Sequence, residues 1–133
     1  MKKPSLQFSI PCLEVDESGN KPPSFKYIFY ELPFPEFPIK SPNFFINNGW
    51  CYGLGPHTER TKILRPDKKT VLTDTKDHEF MLEDDETPFM AINMYQEIVF
   101  PEPGTYWVQI FLDNQQVIQY PLPIRQASAK KNV

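Results

Sequence analysis

Strict alternation near the C-terminal end constrains this fold more than any other feature. Within Glu97 to Ile124 (EIVFPEPGTYWVQIFLDNQQVIQYPLPI), Tyr106, Val108, Ile110 and Leu112 fall on one face, while Trp107, Gln109 and Phe111 fall on the other. A period of two belongs to a strand with one face on a core. Asp113-Asn114 supplies the reversal, since both residue types tolerate left-handed backbone angles. The return strand repeats the inward row with Ile118, Tyr120, Leu122 and Ile124. A hairpin with one apolar face needs a second layer, so the expected class is all-β: a two-sheet antiparallel β-sandwich of about seven to nine strands.

The proline count points the same way. Fifteen prolines stand against five glycines, and proline is confined to loops, edges and strand ends. Many short strands accommodate that number; a helical bundle does not. With 133 residues the chain fits one domain, read as residues 1–124, followed by a basic tail at 125–133 (RQASAKKNV) without large apolar residues, expected to be disordered.

Along the chain, Leu6 to Val15 reads as a first strand bending at Pro11, and Phe25 to Leu32 as a second with large apolar groups on both faces. In LPFPEFPIKSP, Pro33, Pro35, Pro38 and Pro42 preclude ladder pairing on both sides, which makes it an extended edge or loop. Asn43 to Gly53 returns to strand with Phe45 and either Trp50 or Tyr52 inward, and Asn47-Asn48-Gly49 reads as a turn or bulge. Thr58 to Leu64 and Thr70 to Thr73 flank a turn at Pro66-Asp67-Lys68-Lys69. Phe89 to Phe100 fits helical and strand periods alike; its β-branched and aromatic content favours strand.

A net charge of −3 argues against nucleic acid as the main partner. No apolar run approaches a membrane span, and the opening MKKPSLQFSIPCLEV lacks the pattern of a leader. The expected location is the cytoplasm, with Cys12 and Cys51 as free thiols.

Phe100-Pro101-Glu102-Pro103-Gly104-Thr105-Tyr106 is similar to the tyrosine corner of immunoglobulin-like domains, in which the phenol bonds backbone where the chain changes sheets. It departs from that pattern at Pro103 and at Val108, where antibody-type domains carry cysteine. The order of elements over Leu6 to Ile124 also resembles a family of small bacterial β-sandwich proteins of unknown function. The shared features are the opening strand, the Phe-Pro segment, the Pro66-Asp67 hairpin, FPxPGTYxxxIxxD and the closing PLPI at Pro121 to Ile124. The resemblance implies an immunoglobulin-like sandwich in a bacterial cytoplasm and no activity.

Catalytic and metal constellations are thin. Cys51 stands six residues before His57, so a thiolate–imidazole pair defines a third reading, a Cys/His enzyme. Zinc lacks the paired spacing it needs: Cys12, Cys51, His57 and His78 are dispersed. The acidic run Glu83-Asp84-Asp85-Glu86 has no calcium-loop pattern and reads as solvated. Gly53-Leu54-Gly55 is not followed by the rest of a dinucleotide fingerprint. No cofactor and no metal are therefore expected. What remains is a surplus of aromatics: Phe34, Phe37, Trp50, Trp107 and Phe111 are the candidate interface residues. The leading expectation is a non-enzymatic interaction module, binding an unknown protein or a second copy of itself. The alternative is a small-ligand or carbohydrate-binding sandwich with a sugar stacked on Trp107.

Overall fold

The computed structural model describes residues 2–127, which form β-strands and no helix. In chain order the strands are β1 (Ser5–Asp16), β2 (Ser24–Ile28), β3 (Leu32–Phe34), β4 (Ile39–Lys40), β5 (Phe44–Cys51), β6 (Gly55–Leu64), β7 (Val71–Asp74), β8 (His78–Leu82), β9 (Phe89–Tyr95), β10 (Val99–Phe100), β11 (Gly104–Leu112) and β12 (Gln115–Gln126). One sheet runs β2-β1-β5-β9, a second β3-β12-β11-β6-β7 with β8 also on β6, and β10 pairs with β4 alone. Twelve strands in three sheets exceed the expected count, because prolines cut the chain into short pieces: Pro35 and Pro38 separate β3 from β4, and Pro101 follows β10. All pairings are antiparallel except that of β3 with β12, which is parallel.

The closing hairpin forms, and β11, Leu122 and Ile124 face inward as the alternation requires; Ile118, expected inward, is 40% exposed, because β3 covers β12 only at Ile124–Gln126. Tyr106 faces Leu122 and Ile110 faces Ile118 across it, and Tyr106, Val108 and Ile110 are fully buried. At its base the Tyr106 hydroxyl donates to the Glu102 carbonyl at 2.7 Å, tying the corner that precedes β11. The Pro66 turn is held by Asp67, whose carboxylate accepts from the Lys69 and Thr70 amides and the Thr70 hydroxyl.

Three expectations change. Phe25 to Leu32 is not one strand: β2 ends at Ile28, Phe29 turns inward, and Leu32 joins the other sheet. Asn47-Asn48-Gly49 is no turn but the middle of β5, paired with β1 on one side and β9 on the other. Phe44, not Phe45, faces the core, because the β5 inward row is Phe44, Ile46, Asn48 and Trp50. The last strand also runs through Arg125 and Gln126, which pair with β3; the remainder of the expected tail, residues 128–133, lies outside the described residues.

β1 bends strongly. Phe8 and Phe25 meet edge to face at 6.3 Å, although Phe25 pairs with Val15. A straight strand places Phe8 and Val15 about 23 Å apart at roughly 3.3 Å per residue. The change of partner from β5 to β2 falls at Cys12, beside the imide nitrogen of Pro11, and this is where the strand folds back.

Most of the aromatic surplus is core. Phe44 stacks on Tyr95 at 5.0 Å, Phe100 lies against Phe34, Phe44 and Tyr106, and Phe80 links Trp50 to Phe89. Offset and edge contacts of this kind add to the area that the rings bury.

Candidate functional site

Alternation along Thr58–Leu64 puts Glu59 and Thr61 on the same inward row as Ile63, so a carboxylate is carried into the core. Glu59 is 1% exposed. Burial of a carboxylate is tolerated only when donors replace its water, and β5 and β9 supply them. Trp50 Nε1 donates to Glu59 Oε2 at 2.7 Å and Asn48 Nδ2 donates to the same oxygen at 3.1 Å. Asn93 Nδ2 donates to Oε1 at 3.2 Å. Asn48 also donates to the Thr61 hydroxyl, and Asn93 to the Ile46 carbonyl. The cluster thus bridges the two larger sheets through side chains. Its donors are all neutral, and no cation lies within ion-pair distance of Glu59 among the described residues. The Asn48 Oδ1 and the Tyr95 hydroxyl are enclosed without hydrogen-bond partners among the described residues, and burial pushes the Tyr95 phenol well above its ordinary range.

Between β9 and the turn joining β7 to β8 lies a pocket of about 200 Å³, lined by Thr75, His78, Ile92, Asn93 and Met94. On that turn Asp74 accepts from Arg60 Nε at 2.9 Å. The Arg60 hydrogen bond outweighs burial and lowers the Asp74 carboxyl to about 2.

Exposed apolar groups concentrate elsewhere, on β2 and just after it. This strand pairs with β1 on one side only, and Tyr27, Ile28 and Tyr30 are 66%, 61% and 82% exposed. Tyr27 has a φ of 59°, a left-handed conformation that is costly for a bulky side chain. Lys26 reaches Asp16 at 3.9 Å and Glu31 reaches Arg125 at 2.8 Å, all four being well exposed.

The five residues singled out from the sequence do not form one surface. Trp50 is fully buried and Phe34 nearly so, which removes both from any interface: one serves Glu59, and the other packs on Phe37 and Phe100. Phe37 is half-buried. Trp107 and Phe111 do lie on the outer face, each half-buried beneath a lysine: Lys68 Nζ sits 4.0 Å from the Trp107 ring centre and Lys62 Nζ 5.0 Å from that of Phe111. His57 is not joined to Cys51. Its Nδ1 meets Asp113 at 2.8 Å and its Nε2 meets the Leu54 carbonyl at 3.0 Å, so both ring nitrogens are committed. Burial opposes ionisation of Asp113, but the bonds from His57 and the Thr58 amide prevail and lower its pKa. The acidic run forms a turn around Asp84, which accepts from the Glu86 and Thr87 amides.

Glu59 escaped the sequence reading, although its signal was present. A carboxylate on the apolar row of an amphipathic strand demands donors, and Asn48, Trp50 and Asn93 were the available ones. Pairing distance, which alone connects them, is not written in the sequence.

Residues 7–125 match the model of DUF6941, a family of unknown function. No curated protein matches the chain.

Proposed function

The chain belongs to DUF6941, whose membership carries no chemistry with it, and from that premise we propose a non-enzymatic interaction module whose partner is a second copy of itself. The observation that carries this reading is the unpaired β2 edge, with Tyr27 and Ile28 exposed on it and Tyr30 exposed just beyond its end. Such an edge invites another strand. A two-fold axis beside β2 sets two such edges antiparallel, with Tyr27 and Ile28 of each copy at the seam.

The finer fold reading belongs to the same proposal: an immunoglobulin-like sandwich of β1-β5-β9 against β12-β11-β6, supported by the strand order and the Tyr106 corner. So does a reducing bacterial cytoplasm, which suits two cysteines left as thiols. The carbohydrate reading is weaker on geometry, since a sugar stacking on Trp107 competes with Lys68 for the ring. Amide hydrogen exchange at low and high micromolar protein tests the proposal. Amides of residues 24–28 should gain protection as concentration rises; protection there that is independent of concentration would overturn it.

A further inference from the structure

The pocket beside β9 has a wall that the structure orients. Asn93 is 5% exposed, and its Nδ2 bonds inward to both Glu59 Oε1 and the Ile46 carbonyl. The amide therefore cannot flip without losing both bonds. Its opposite end, Oδ1, accepts no hydrogen bond among the described residues, and Asn93 is part of the pocket lining. A carboxylate on the donor end of an amide polarises it and strengthens its carbonyl as an acceptor. Glu59 does this from a fully buried position without a counter-cation.

The charges on the pocket's turn balance one another. Asp74 and Asp77 flank Thr75 and His78 on the pocket's turn. Arg60 is drawn to both acids, and Lys76 is the other cation on the turn. The uncompensated charge is that of Glu59, behind Asn93. Ile92 and Met94 give the pocket an apolar side.

We propose that this pocket binds a small primary alkylammonium group. The N–H donors face Asn93 Oδ1, the alkyl part lies along the β9 edge at Ile92 and Met94, and Glu59 acts as the positioning residue that holds and polarises Asn93. A volume of about 200 Å³ admits a short chain of a few carbons and little more. Neutral alcohols of the same length offer a hydrogen bond but no charge, so they should bind at least about tenfold more weakly.

The test is an amide NMR titration of the whole chain with n-butylammonium chloride and, separately, with n-butanol. Saturable shifts at Thr75, His78 and residues 92–94, with the ammonium favoured, are expected. Glu59→Gln should weaken ammonium binding about tenfold and narrow the preference over butanol. If that variant does not fold, Met94→Lys decides: Met94 is 52% exposed, so the fold should survive while a cation at the rim abolishes binding. The proposal is overturned by absence of saturable shifts with the ammonium, by equal binding of butanol, or by unchanged affinity in Met94→Lys.

Discussion

At the scale of single residues, the molecule's most costly feature is a carboxylate without water. Glu59 is tolerable because Trp50, Asn48 and Asn93 donate to it. Trp50→Phe keeps an aromatic ring in the core but removes the shortest of these bonds. It should destabilise by about 1.5–3 kcal/mol, the range for a hydrogen bond to a charged group. A urea midpoint lowered at constant slope checks this; a change below about 0.5 kcal/mol, typical of a surface site, would mean that the cluster is incidental. Asp74 gives a pH prediction. Its folded-state pKa, about 2, lies below the ordinary aspartate value of 3.8, so within that interval the unfolded chain binds more protons. Its stabilising contribution is therefore complete above the unfolded value and is lost as pH falls towards 2. Asp74→Asn should flatten, without abolishing, the decline of the urea midpoint between roughly pH 5 and 2, because Asp67 is lowered to about 2 as well. A slope identical to wild type would show that the Arg60 pair contributes nothing.

At the scale of elements, legibility followed periodicity. The β11–β12 hairpin and the turn at Asp67 were readable, since alternation and turn chemistry are local properties. β2 and β5 were not, for reasons that are non-local. Phe25 to Leu32 alternates without interruption, yet the chain leaves one sheet at Ile28 and enters the other at Leu32. Asn47-Asn48-Gly49 has turn composition, but Asn48 is there for Glu59, and Gly49 is there because a Cβ would overlap the Phe8 ring. Gly49→Ala should therefore destabilise by about 1–3 kcal/mol through overpacking. Phe8→Ala should remove most of that penalty in a double-mutant cycle. Additive effects of the two changes would exclude the ring contact as the reason for glycine.

At the scale of the whole molecule, the all-β class was legible, and the aromatic core and the candidate sites largely were not. Trp50 and Phe34, chosen as surface aromatics, complete the core, whereas Tyr27 and Tyr30 remain outside it. Hydrophobicity cannot distinguish these fates; only the three-dimensional path of the chain does. The central claim is that the exposed β2 edge joins two copies of the chain. Light scattering coupled to size exclusion, on the wild type and on Tyr27→Ser/Tyr30→Ser, tests it most directly. The expected result is a wild-type dimer that becomes a folded monomer in the double variant. A wild type that stays monomeric at high micromolar concentration, or a dimer indifferent to both substitutions, would contradict it.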